Sequence, residues 1–177
     1  MEEKVQEPAV VARARQGDAS AWEELYRRAY PGLLAYARRR LDAESARDAV
    51  SETMARAVSS IDRFAWNGVG FDAWLFGILR HVVIDAQRAL TERAIPADVS
   101  PDSPGPLDHL LGAEEAKAVR VAFRRLGEAD QEVLELRVVA QLSADEVGEV
   151  LGKKPGAVRM AQARALERLR ALMEEGS

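Results

Sequence analysis

The chain of 177 residues contains no cysteine, so disulfides, thiolate nucleophiles and Cys-based zinc sites are all excluded. Histidine is almost as scarce, with His81 and His109 alone. His81 and Asp85 are spaced i, i+4, but no third ligand accompanies them, and no metal or other cofactor is expected. No apolar run reaches the roughly 18 residues that a membrane span requires, and the acidic start Met-Glu-Glu-Lys is unlike a signal peptide. A cytoplasmic protein without membrane insertion is the expectation. Alternation of apolar and polar residues long enough for a sheet is also lacking, as are internal repeats. No phosphate-cradling Gly loop and no Ser/His/Asp arrangement is present, so the chain does not read as an enzyme and no catalytic residue is assigned.

What is present is helical periodicity, in a chain with 47% hydrophobic and 31% charged residues. Its most informative stretch runs from Leu142 to Leu172. Ser143 followed by Glu146 is a capping box, Val147, Val150 and Leu151 form one apolar face, and Gly152 suits a helix end. Pro155 then suits the first position of a second helix, whose apolar residues Val158, Ala161, Ala165, Leu169 and Leu172 recur at helical spacing. Two short helices with a tight turn between them are a helix-turn-helix, whose second helix can enter a DNA major groove. Between Lys153 and Arg170 there are six basic residues and one acid, in a chain whose net charge is −4. A groove-facing helix needs that local excess; a solvated basic face is the plain alternative.

Upstream, residues 8–17 read as a short helix, with Gly17 to Ser20 marking its end and the next cap. A second helix carries Trp22, Leu25, Tyr26, Ala29 and Tyr30, and Pro31-Gly32 is expected to interrupt it before Leu33, Ala37 and Leu41 resume the pattern. A third is predicted from Ala46 to Ile61, with Arg47, Asp48, Ser51, Glu52 and Arg56 on its polar face. Phe64 to Gly70 reads as a loop. Two placements suit Trp66 within it: folded back on the core, or exposed for stacking on a base. Phe71 to Leu90 is too apolar for a surface helix and is expected to be central to its domain. Residues 93–115 differ again, with four prolines between 96 and 106 and one basic residue against five acids. The expected architecture is therefore all-α: a helical domain over 8–92, an extended acidic linker over 93–115, and a helix-turn-helix domain over 116–174.

Several sequence words share one resemblance: Gly-Asp-Ala-Ser-Ala-Trp-Glu-Glu-Leu-Tyr at 17–26, Asp48-Ala-Val-Ser-Glu52-Thr53, Asp62-Arg63-Phe64, Phe71-Asp-Ala-Trp74-Leu75, Arg80-His-Val-Val-Ile-Asp85 and Leu126-Gly-Glu-Ala-Asp-Gln131-Glu-Val-Leu-Glu-Leu-Arg137. In this order and spacing, from Ala12 to Met173, the chain resembles a bacterial sigma factor of the extracytoplasmic-function (ECF) group, with a region-two helical bundle, a linker and a region-four helix-turn-helix domain. The resemblance implies binding to core RNA polymerase through the largest-subunit clamp and the flap regions. Asp48, Ser51 and Glu52 would dock on the clamp. It implies capture of unstacked minus-ten bases, with Trp66, Asn67, Arg80, His81 and Arg88 as candidates. It also implies minus-thirty-five duplex reading by Lys153, Lys154, Arg159, Met160, Ala163, Arg164 and Arg168. Promoter DNA and an anti-sigma factor are the further implied partners. Ser51 stands where the family usually has Gln, and Ala157 and Met160 stand where many relatives have Thr and Ser.

Overall fold

The computed structural model describes residues 7–66, 69–93 and 113–176, and among these every regular element is helical. The chain divides into two units, Met1–Pro101 and Asp102–Ser177.

In the first unit, α1 (Ala9–Arg15) leads into α2 (Ala19–Arg38), which is capped by Asp18. The Asp18 carboxylate accepts from the backbone N–H groups of Ser20 at 2.9 Å and Ala21 at 3.2 Å, satisfying donors that the first helical turn leaves open. Contrary to the sequence expectation, α2 runs without a break through Pro31-Gly32. A mid-helix proline costs about 3 kcal/mol. Leu25 and Leu33 on either side are fully buried on one face, with Ala29, Tyr36 and Ala37, and each such leucine contributes about 1.5–3 kcal/mol. Burial therefore outweighs the lost backbone bond. A Cβ at Gly32 would lie 3.4 Å from Phe76 Cζ of the fourth helix, an ordinary van der Waals contact, so the packing there does not demand glycine.

Helix α3 (Ala43–Ser60) starts three residues before the predicted Ala46, because Asp42 is the cap and accepts from Glu44 N and Ser45 N, both at 3.0 Å. Ala46, Ala49, Val50, Thr53 and Ala57 are buried, whereas Val58, expected on the same face, is 52% exposed. A 3₁₀ turn at Ile61–Arg63 follows. Helix α4 (Phe71–Glu92) packs against both α3 and α2 and buries Phe71, Leu75, Phe76, Leu79, Val82 and Val83, the central position its composition predicts.

The second unit comprises α5 (Ala113–Arg125), α6 (Glu128–Leu134), a π-helical turn at Glu135–Val139, α7 (Ala144–Leu151) and α8 (Pro155–Glu175). Leu126, Leu134 and Ala165 form a buried cluster flanked by Phe123, Leu169 and Leu172. Gln131 closes the end of α5: its amide donates to the carbonyls of Leu126 at 2.8 Å and Phe123 at 3.0 Å. Arg137 links the π turn to α8 by donating to Gln162 Oε1 at 2.8 Å, and it also donates to the Leu142 carbonyl.

The capping box of α7 is complete, with Ser143 Oγ accepting from Glu146 N at 3.1 Å and Glu146 Oε2 from Ser143 N at 2.7 Å. Gly152 ends α7 in the left-handed region at φ +64°, which a residue without Cβ adopts at little cost. Lys153 N then donates to the Gly148 carbonyl at 2.9 Å. The same turn brings the Lys153 carbonyl to within 2.6 Å of where a Cβ on Gly148 would sit.

Gly148→Ala therefore separates two effects of opposite sign. Helix propensity favours Ala by about 1 kcal/mol. Overpacking against a backbone carbonyl costs about 1–3 kcal/mol. Urea denaturation of the full chain is expected to show net destabilisation of the second unit; an unchanged or raised midpoint would show that the turn yields. At the other end of the chain, hydrogen bonds from the Ser20 hydroxyl and from Arg13, then from the Ala21 N–H, hold Asp18 down at about 2. A depressed carboxylate stabilises the fold fully above its ordinary value near 3.9, and that contribution disappears as pH falls through the folded value. Stability measured by urea midpoint should therefore fall from about pH 4 towards about pH 2 more steeply in wild type than in Asp18→Asn. Identical slopes would exclude this cap as a contributor.

Candidate nucleic-acid and partner interfaces

In the second unit, the buried side of α8 holds Val158 and Ala165, so the side formed by Gly156, Arg159, Met160, Ala163, Arg164 and Glu167 faces solvent. Lys153 and Lys154 are exposed immediately before its first turn, where unpaired backbone N–H groups add partial positive charge. Met160, 63% exposed, is a large apolar side chain in the middle of this polar surface. Six of the predicted duplex-reading residues (Lys153, Lys154, Arg159, Met160, Ala163 and Arg164) thus gather around the first half of α8.

Arg168 is placed differently. Its guanidinium donates to Asp130 of α6, whose side chain is only 14% exposed, so this arginine ties α6 to α8. Arg159 also meets an acid, with Nη2 3.8 Å from Asp145 Oδ2. Neither Asp130 nor Asp145 is among the residues singled out from the sequence. Both lie on helices other than α8, and helical spacing within one element gives no sign of such a pair.

In the first unit, Asp48, Ser51 and Glu52 are all exposed on α3. Asp48 and Glu52 stand at the edge of a shallow groove of about 290 Å³ between α3 and α4, whose α4 side is formed by Val82, Ala86, Ala89, Leu90 and Arg93. Ser51 does not line the groove. Glu52 Oε1 accepts from Arg56 Nε at 2.7 Å, one turn along the same helix. The α4 wall is absent from the sequence prediction, although Ala86, Ala89 and Leu90 recur at 3 and 1, an apolar helical stripe in which the two alanines leave room beside α3.

The loop before α4 is built on an aromatic cluster. Phe64 meets Phe71 edge-on at 5.6 Å, Trp74 at 5.0 Å and Trp66 at 6.1 Å, and Trp22 reaches Phe71 from α2 at 6.1 Å. Arg15 fastens this cluster to α1 by donating to the Phe64 carbonyl at 3.0 Å. Trp66 is half-buried, its ring meeting that of Phe64 in a T-shaped contact, so it folds back on the core with part of the ring left open to solvent. Asn67 lies outside the described residues. His81 and Arg88, seven residues apart, are exposed on the outer side of α4, whereas Arg80 is half-buried on its flank. His81 Nδ1 donates to the Gly77 carbonyl at 2.7 Å, leaving Nε2 as the outward nitrogen.

The groove beside α3 is shallow and open to solvent, with the carboxylates of Asp48 and Glu52 among its lining groups. Among the described residues no group of three or more His, Asp or Glu could hold a metal ion, and no helix is long and apolar enough to cross a membrane. The chemistry on offer is contact with charged macromolecules.

Comparison with known proteins gives the same division. The family model described as Sigma-70 region 2 matches residues 25–93, and that described as Sigma-70, region 4 matches residues 122–171. The chain is 38% identical to the ECF RNA polymerase sigma factor ShbA of Streptomyces griseus over 94% of its own length and 95% of that protein. It is 36% identical to the ECF RNA polymerase sigma factor SigD of Mycobacterium tuberculosis, over 92% and 81% respectively. Among solved structures, CnrH in complex with the cytosolic domain of CnrY matches with a TM-score of 0.69 and 25% identity, covering 95% of this chain and 97% of CnrH. The sigma factor RpoE of Bartonella quintana, with a TM-score of 0.68 and 21% identity over 86% of this chain and 96% of that one, shares the fold. With both halves matched in order and a relative this similar along nearly its whole length, the chain belongs to the ECF RNA polymerase sigma factors.

Proposed function

We propose that this chain is a promoter-recognition subunit that binds core RNA polymerase and directs initiation without catalysing a reaction of its own. The observation that carries this reading is the presence, in separate units, of the exposed carboxylates Asp48 and Glu52 beside a groove on α3 and of a basic surface at the start of α8. Asp48 and Glu52, with Ser51 beside them, present charge to a basic protein surface, the clamp of the polymerase largest subunit. The groove against α4 adds an apolar floor from Val82, Ala86 and Leu90.

Single-stranded minus-ten bases would be met by Trp66 and Asn67, with His81 and Arg88 on the outer side of α4 and Arg80 on its flank. An aromatic face supplies stacking, and the cations offset phosphate charge. Minus-thirty-five duplex would be met by Lys153 and Lys154 on phosphates, and by Arg159, Met160, Ala163 and Arg164 towards base edges. Arginine matches the guanine O6 and N7 acceptors, and the Met160 and Ala163 side chains suit a thymine methyl. Arg168 would contribute chiefly by fixing α8 on α6.

Either DNA contact alone is small, and a chain of net charge −4 approaches DNA against repulsion. Held on polymerase, the two units act as a bivalent reader whose second contact is effectively intramolecular. The solved CnrH is bound to the cytosolic domain of CnrY. By analogy this chain is held inactive by an anti-sigma factor that covers the same faces, in the cytoplasm where polymerase works. A stand-alone helix-turn-helix regulator would use α7 and α8 but leave the α3 groove and the aromatic loop without a role.

Size exclusion of the full chain with bacterial core polymerase tests the docking face. Wild type is expected to co-elute stoichiometrically, and Asp48→Arg/Glu52→Arg to lose co-elution while its circular dichroism is unchanged. Co-elution of the double variant at wild-type level would place the polymerase contact elsewhere. Failure of folded wild type to bind core would leave the operator-binding regulator.

A further inference from the structure

Asp145 occupies the first turn of α7, in the helix-turn-helix, where a carboxylate ordinarily serves the helix end. That task is already filled by the reciprocal bonds between Ser143 and Glu146. The Asp145 side chain instead lies beside α8, with Oδ2 3.8 Å from Arg159 Nη2. Both side chains are exposed, at 66% and 63%, so the pair fills no core, and an ion pair in that setting contributes little to folding. It contrasts with Arg168 and Asp130, where the acid is largely covered and the pair joins two helices.

A negative charge beside a DNA-reading helix is a liability, because it repels phosphate. It becomes useful when paired with the arginine that does the reading. The guanidinium is a rigid fork with five donors, and a carboxylate 3.8 Å from Nη2, beyond hydrogen-bond distance, attracts it without taking up a donor needed for the two acceptors on the major-groove edge of guanine. An arginine with no charge beside it samples its rotamers widely before DNA arrives, whereas the Asp145 carboxylate favours those that keep the Arg159 guanidinium beside α7. As the groove excludes water, the attraction between the two charges strengthens.

We infer that Asp145 is a specificity-positioning residue, which holds Arg159 at the edge of the major groove and so sharpens the choice of one guanine-containing base pair in the upstream promoter element. This rests on the reading of α8 as the duplex-reading helix.

The test is selection of promoter duplexes from a pool randomised across the upstream element, using the full chain assembled with core polymerase. Wild type, Arg159→Ala, Asp145→Asn and Asp145→Ala are compared, with co-elution on core as the control for folding. Wild type is expected to select a guanine that Arg159→Ala no longer selects. Both Asp145 variants are expected to lose about tenfold in discrimination at that same base pair. Their total DNA affinity should be unchanged or tighter, because a phosphate-repelling charge has gone. A merely structural role would lower affinity for every sequence alike and would overturn the inference. Full retention of the preference in both Asp145 variants, with its loss in Arg159→Ala, would overturn the positioning role while leaving the duplex-reading helix intact. A preference that survives Arg159→Ala would overturn both the positioning role and the assignment of Arg159 as base reader.

Discussion

Burial of one face per helix is the constraint on which both units depend. With no cysteine there is no crosslink to compensate for small cores, so α2, α3 and α4 must place Leu25, Leu33, Val50, Leu75 and Leu79 out of water, and α6, α7 and α8 must do the same with Leu134, Val147 and Val158. Each helix therefore has only its other side for charge and recognition. That division places Asp48 and Glu52 beside a groove in one unit and the basic start of α8 at the surface of the other. Neither surface contributes much to stability, and both are free to be specialised.

The turn between α7 and α8 shows how closely the exposed face of α8 depends on backbone packing. The angle of α8 rests on an approach that only glycine permits at 148, on a left-handed residue at 152 and on a proline at the first helical position. From that angle follow the exposure of Lys153 and Lys154 and the meeting of Arg159 with Asp145. In the first unit the corresponding device is aromatic. Phe64, Phe71 and Trp74 hold the start of α4, and Trp66 packs half-buried against Phe64. One unit thus presents a basic helix surface, and the other a partly exposed aromatic ring.

Features generated within one helix were legible in the sequence: the capping box at Ser143, the end at Gly152, the start at Pro155 and the apolar stripes of α3 and α4. They depend on spacing and on local hydrogen bonds, which the order of residues displays directly. Pro31-Gly32 misled because its local cost is visible, whereas the burial that overcomes it comes from packing against other helices. The same reason hides the space requirement of Gly148, the closure of α5 by Gln131 and the partners of Arg159 and Arg168. Each is a contact between elements. For the candidate interfaces, residue types pointed to the basic start of α8, whereas Asp48, Ser51 and Glu52 on α3 were singled out only through the family resemblance, and the α4 wall of the groove emerged only when two helices were placed side by side.

The central claim is that the two faces work together on polymerase. Its most direct measurement is run-off transcription with core polymerase, the purified full chain and a promoter selected by their complex. The account predicts that core alone does not initiate there, that the complex does, and that Asp48→Arg/Glu52→Arg abolishes initiation whereas Arg159→Ala weakens it, each through a different unit. Tight, sequence-specific binding of the chain to that DNA without core, together with transcription unaffected by its addition, would contradict it.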